Sequence, residues 1–144
     1  MSRYFQICRF PYSNFMVFDL VSDVEKYPEF LPWCKKVKIH KKSINSVEAT
    51  LFVGDKIFKE SFRSKVFLKR PYYIRIYYEN GPLKYLYNSW GFRHIADSVT
   101  EVSFFVDFKF NSLILEVAIS SFFSNLTITM VNAFQNRAKL LFGM

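Results

Sequence analysis

Apolar and polar residues alternate with a period of two through most of this chain, and the rhythm turns helical near each end. The first ten residues read as a strand that stops at Pro11. Ser13 stands where a helix N-cap belongs, and Phe15, Phe18 and Val21 or Ser22 follow at helical spacing, which predicts a short helix over 14–22. Asp23 offers a cap for one or two further turns through Tyr27. The segment from Tyr27 to Cys34 is not expected to continue them, because Pro32 holds Leu31 away from helical angles.

From Lys35 the pattern becomes extended. Val37 and Ile39 alternate with Lys36, Lys38, His40 and Lys42; then, after a turn at 43–46, Val47, Ala49, Leu51 and Val53 alternate with Glu48, Thr50 and Phe52 up to Gly54-Asp55. Strands are expected at 57–69, 72–79 and 85–94, separated at Pro71 and at Asn80-Gly81-Pro82. The clearest lies at 99–110, where Val102, Phe104, Val106, Phe108 and Phe110 oppose Glu101, Ser103, Asp107 and Lys109, with Phe105 as the exception. Connections this short join antiparallel neighbours.

Asn111-Ser112 then caps a last helix. At 100° per residue, Leu115, Ala118, Ile119, Phe122, Phe123, Leu126, Met130, Ala133, Leu140 and Leu141 share one side, with Ser120, Ser124, Asn132, Gln135 and Lys139 on the other. Thirty helical residues make a rod of about 45 Å, long enough to cross a whole sheet. An apolar stripe of that length must be buried, and the sheet is the large apolar surface available. The chain therefore predicts one α+β domain over 1–144: a strand, two helices, six strands and a long helix.

Composition narrows the chemistry. The chain is 51% apolar, which excludes a disordered or collagen-like protein. Twenty basic against twelve acidic residues give a formal charge of +8, favouring polyanionic partners. The eighteen Phe, nine Tyr, thirteen Lys and eight Asn all have A/T-rich codons, so position carries more than these counts. Cys8 and Cys34 are too few for a disulfide scaffold and read as thiols of a reducing compartment. The N-terminus has no apolar run like a signal peptide, and Asn125-Leu126-Thr127 is read as a chance sequon. Residues 117–136 carry no charge, yet nine of the twenty are Ser, Thr, Asn or Gln, too polar to span a bilayer. A cytoplasmic protein, peripheral at most to the inner membrane, is the expectation.

Catalytic signatures are missing: there is no GxGxxG, P-loop, HExxH or GxSxG, and His40 and His94 stand far apart. No catalytic residue, catalytic cofactor or metal ligand is therefore assigned. Arg137 lies on the apolar side of the last helix; either its stem packs while the guanidinium reaches solvent, or it is a polar anchor at the mouth of an apolar cavity. The basic surface of Lys35, Lys36, Lys38, Lys41 and Lys42 is open to three readings: a protected edge strand, a contact for anionic lipid headgroups, or a contact for ribosomal RNA.

Several spaced blocks resemble one family. They are Pro11-Tyr12-Ser13; Asp23-Val24 through Tyr27-Pro28-Glu29-Phe30-Leu31-Pro32-Trp33-Cys34; Asn80-Gly81-Pro82-Leu83-Lys84 with Trp90-Gly91-Phe92; Asp107-Phe108-Lys109-Phe110; and Met130-Val131-Asn132-Ala133-Phe134 with Arg137-Ala138. Together they resemble the coenzyme Q-binding and oligoketide-cyclase-like branch of the START-type helix-grip superfamily, which includes the bacterial ribosome-association toxins. The resemblance covers nearly the whole chain. It implies a seven-stranded curved antiparallel sheet around the long C-terminal helix, with an elongated apolar cavity between them. It also implies ubiquinone, a polyprenyl quinone, as the bound ligand of a non-enzymatic lipid chaperone serving respiration or quinone biosynthesis. The alternatives are a factor that binds the 50S ribosomal subunit and blocks subunit joining, and a polyketide cyclase or aromatase. DNA is not an expected partner. By position, Phe30, Leu31, Pro32 and Trp33 would form a lid or mouth, and Trp90, Phe92, Phe104, Val106 and Phe108 the sheet wall. Phe122, Leu126, Met130 and Phe134 would form the helix wall, with Phe134 at the margin of the stripe. The chain departs from the family pattern at Leu83, where Phe is frequent, and at Tyr87-Asn88-Ser89, which replaces a small, glycine-rich stretch.

Overall fold

The fold is built on a seven-stranded antiparallel sheet, seen in a computed structural model that describes residues 2–54 and 59–143, without the side chains of Ser2 and Ile119. Strand β1 (Ser2–Phe10) leads into helix α1 (Asn14–Ser22) and a 3-10 segment (Val24–Glu29). Six strands follow: β2 (Cys34–Lys42), β3 (Ser46–Gly54), β4 (Lys59–Lys69), β5 (Tyr73–Asn80), β6 (Leu83–Ala96) and β7 (Val99–Phe110). Helix α2 (Leu113–Phe142) closes the chain. The expected turn residue Asp55 and the first two residues of the strand expected at 57–69 lie outside the described residues, as does the Ile119 side chain.

The strand order is β1-β7-β6-β5-β4-β3-β2, so consecutive strands from β2 onward are neighbours and the first strand joins the last. Register shifts in β2, β5 and β6 add local bends, which help a sheet of this width to curl. Gly81 sits at the β5–β6 turn with φ +151°, and a Cβ there would stand 2.8 Å from the Ser61 carbonyl oxygen. The alternation expected along β7 is complete: Val102, Phe104, Val106, Phe108 and Phe110 are all buried.

Both helices start where their caps predicted. Ser13 accepts from the Met16 amide at 3.3 Å, and Ser112 accepts from the Leu115 amide at 3.1 Å. Three expectations about helix faces need correction. Phe15 does not face the core: it is 47% exposed beneath the guanidinium of Arg70, and Val17, Phe18, Leu20 and Val21 are buried instead. Asp23 makes no side-chain cap, and the 3-10 segment runs through Pro28 to Glu29, stopping later than expected. In α2, Ala118, Leu140 and Leu141 are exposed, and the buried line is Phe123, Thr127, Val131, Phe134 and Ala138. Ala118, Leu140 and Leu141 lie off that line, and the C-terminal end stays docked, where the Tyr12 hydroxyl donates to the Gly143 carbonyl at 2.6 Å.

Phe134 is the hub of the core, fully buried, with its ring 5.2 Å from Trp90, 5.4 Å from Tyr27 and 5.1 Å from Phe30. It is thus central to the stripe rather than marginal. Thr100, also fully buried, donates from Oγ1 to the Tyr12 carbonyl at 2.7 Å, fixing the entry to α1 against β7. Thr100→Val keeps the shape but strands that carbonyl in the core. Urea denaturation should show a loss of about 1–3 kcal/mol, with the fold retained.

Candidate functional site

Between the inner face of the sheet and α2 lies a cavity of about 130 Å³. Of the residues expected to line it, Trp33, Trp90, Phe104, Val106, Leu126, Met130 and Phe134 do so. Six others do not: Phe30, Pro32 and Phe122 border an open groove beside it, and the remaining three are core packing. Leu31 is buried in the core at the start of β2, Phe92 packs against Phe18 and stacks beside Trp90, and Phe108 packs against Phe110 and Phe123. Each has its inward position, but lies further along the core than the empty space.

The sequence reading missed the polar part of the wall: Tyr27, Ser64, Tyr78, Asn88 and Thr127. The Tyr27 hydroxyl donates to the Val21 carbonyl, and the Tyr78 hydroxyl accepts the Leu83 amide at 2.9 Å. Asn88 donates from Nδ2 to the Phe105 carbonyl at 2.7 Å. Burial raises the pKa of both phenols, so they stay protonated at neutral pH. Ser64, Tyr78 and Asn88 were detectable as polar interruptions at inward strand positions, of which Asn88 between Tyr87 and Ser89 is the plainest; Tyr27 and Thr127 lie on helical segments, where no such alternation marks them. Among the described residues the wall contains no carboxylate, histidine, lysine or arginine. It supplies apolar contact and a few hydrogen-bonding groups.

Outside this cavity, and sharing Trp33 with it, is an open groove of about 990 Å³. Phe30, Pro32, Trp33, Phe122 and Arg137 line it, together with Lys35 and Lys59. Phe30, Pro32 and Trp33 therefore do form a mouth, with the indole of Trp33 between the two spaces. Phe122 belongs to the groove, not to the inner helix wall.

Arg137 is held by the protein itself. Its Nη2 donates to Glu29 Oε1 at 2.8 Å, its guanidinium carbon lies 5.0 Å from the Phe30 ring centroid, and its side chain is 14% exposed. Nε is buried with no hydrogen-bond partner among the described residues. The residue clamps the segment before the mouth onto α2 and leaves one donor unused. It reaches the groove and not the inner cavity.

The five lysines are all exposed on or beside β2, which is an edge of the sheet. Lys42 pairs with Glu25 at 3.3 Å, Lys35 donates to the Pro32 carbonyl at 2.8 Å, and Lys36 lies over the Phe52 ring. Cys8 and Cys34 are both unbridged; burial pushes the Cys34 thiol up to about 11. Among the described residues no group of three or more His, Cys, Asp or Glu could hold a metal ion. No helix among them is long and apolar enough to cross a membrane.

Residues 11–135 match the model of the family described as polyketide cyclase / dehydrase and lipid transport. The chain belongs to that family. Among its members, the ribosome association toxin RatA of Rickettsia prowazekii is 37% identical over 134 residues, covering 90% of each chain. The mitochondrial coenzyme Q-binding protein of Dictyostelium discoideum is 33% identical over 131 residues, covering 88% of this chain and 64% of that one. A START superfamily protein from Mycobacterium smegmatis has the same fold, with a TM-score of 0.82, 14% identity, and coverage of 96% and 98%. The architecture is the helix-grip fold of this polyketide cyclase and lipid transport family.

The hydrogen bond from Arg137 holds the Glu29 carboxyl below its ordinary pKa, with Lys26 adding to the effect. Glu29 thus stabilises the fold when ionised; its contribution is present above the unfolded carboxyl's pKa and is lost as pH falls through the lowered native one. In NMR titrations Arg137→Met should move the Glu29 midpoint upward. The stability difference between the native chain and Glu29→Gln should shrink over the same acidic range.

Proposed function

We propose that this chain binds a polyprenyl quinone and acts as a non-enzymatic lipid carrier, peripheral to the cytoplasmic face of a membrane. One observation carries the reading: among the described residues, an apolar cavity under the long helix shares one residue, Trp33, with a much larger open groove. At about 130 Å³ the cavity is smaller than the roughly 300–1,000 Å³ of ordinary ligand pockets. It holds one part of such a ligand, and the remainder lies in the groove against Phe30, Phe122, Ala133 and Leu140. Met130, an unbranched and adaptable side chain in the wall, allows the space to widen. Each prenyl methylene withdrawn from water contributes about 0.8 kcal/mol, so affinity needs no charged partner. Asn88, Tyr27 and Tyr78 supply polar contacts for a quinone ring. The relative named as a coenzyme Q-binding protein supports this ligand class.

Organic extraction of the chain purified from a quinone-producing host, followed by mass spectrometry, should recover quinone. Trp33→Ala and Leu126→Lys should each reduce it at least tenfold, the latter by placing an ammonium in an apolar wall. A folded Leu126→Lys protein that keeps its full quinone load overturns the assignment.

A second reading follows from the relatives named as ribosome association toxins and from the exposed lysines of β2: attachment to the large ribosomal subunit. It predicts co-sedimentation with 50S particles that weakens steeply with salt and on changing Lys36, Lys38 and Lys41 to Gln. Co-sedimentation that ignores both would remove the lysine strand as its cause. The cyclase reading would need a proton-moving acid or base; among the described residues the wall offers the Tyr27 and Tyr78 phenols, both engaged with the backbone.

A further inference from the structure

The face of the sheet turned away from α2 carries a row of rings that neither reading uses. Phe67 on β4, Tyr77 on β5, Tyr87 on β6 and Phe105 on β7 stand side by side across four adjacent strands, with successive centroids 5.6, 5.1 and 6.2 Å apart. Phe5 on β1 pairs with Phe105 in register and extends the row to the sheet edge. Phe67 is 38% exposed, Tyr77 44% and Phe5 59%. Rings left in water over this span are an exposed surface with a specific shape.

Charge on the same face says what shape of partner suits it. Of the carboxylates there, Asp107 is taken up by Arg3 at 3.4 Å, Glu101 by Arg93 at 3.1 Å and Glu79 by Arg63 at 3.9 Å, while Glu48 on β3 stands opposite Lys65 in register. Lys65, Lys69 and Arg75 remain beside the rings without an ion pair among the described residues. Lys65 Nζ lies 5.4 Å from the Phe67 ring centroid, and Arg75, opposite Phe67 in register, covers Tyr73 at 4.1 Å. Free cations interleaved with a line of ring faces match a polyanion whose repeating units are themselves flat and stackable. A second copy of this chain is disfavoured, since face-to-face packing would set these cations against their own kind. A membrane is disfavoured because the rings lie mid-strand, level with phenol hydroxyls and guanidinium groups, rather than on a protruding apolar tip.

We propose that this outer face is a binding platform for single-stranded RNA, with bases stacking on Phe67, Tyr77, Tyr87 and Phe105 and phosphates meeting Lys65, Lys69 and Arg75. It is a different site from the quinone cavity and does not rest on it.

Fluorescence anisotropy of the full chain with a labelled 12-nucleotide A/U-rich single strand is the test. Saturable binding at 50 mM salt that weakens as salt rises is expected, with an RNA duplex competing poorly. The double variant Phe67→Ala with Tyr77→Ala should lose about tenfold or more in affinity, Tyr77→Phe should retain it, and Lys65→Gln should flatten the salt dependence. Trp33→Ala should leave RNA binding unchanged while altering quinone retention, so the two sites succeed or fail separately. The proposal is overturned by absent saturable binding at 50 mM salt, by duplex and single strand competing equally, or by ring variants that bind as well as the native chain. Ring-dependent binding to phosphatidylglycerol vesicles that RNA does not displace would assign the face to lipid and overturn it equally.

Discussion

Covering a seven-stranded sheet with one helix leaves space, and that mismatch governs this molecule. Strands about 4.8 Å apart make a face several times wider than one helix, which is roughly 10 Å across. Curling narrows the difference; α1 covers the end near β6 and β7, with Phe18 on Phe92, and the 3-10 segment packs against β2. What stays uncovered under the middle of α2 is the cavity, and what stays uncovered beside it is the groove. The helix cannot sink to close the gap, because Phe134 already rests on Trp90 and Phe123 on Phe108. Large rings act as spacers as well as core.

The mouth depends on a second constraint. The stretch from Phe30 to Trp33 has no regular structure, yet it stands between core and groove. It is secured at one end by the Tyr27 hydroxyl and by Arg137 gripping Glu29, and at the other by the Gly54 amide donating to the Trp33 carbonyl at 2.9 Å. Phe30 lies between the Arg137 guanidinium and the ring of Phe134. Trp33, partly buried against the core, is shared by the two spaces.

How much of this was legible in the sequence follows from the physics of each element. The strands, both serine caps and the inward row of β7 could be read directly, because a pleated strand repeats every two residues whatever lies against it. The buried line of α2 could not. Phe123, Thr127, Val131, Phe134 and Ala138 advance by four, four, three and four residues, so the line slides around a helix drawn at constant pitch. A twisted sheet meets a straight rod along such a winding line. A wheel at constant pitch therefore moved Phe134 to the edge and kept Leu140 and Leu141, which lie off that line and are exposed. The cavity wall was half legible for a related reason: the pattern shows which residues face inward, whereas Leu31, Phe92 and Phe108 show that inward-facing positions are used as packing wherever neighbours are large enough to meet.

The same period of two builds two surfaces of opposite character from the same strands. On β5, Ile76 and Tyr78 line the cavity and Tyr77 between them stands in the outer row; on β6, Asn88 faces in and Tyr87 out; on β7, Phe104 and Val106 face in and Phe105 out. The Asn88 amide even takes its acceptor from the backbone of Phe105, tying the cavity wall to the strand that carries an outer ring. A slip of one residue in any of these pairings would put a tyrosine into the cavity and a cavity residue into water. The register that makes the hollow is therefore the register that makes the aromatic row, and neither surface can be rebuilt without the other.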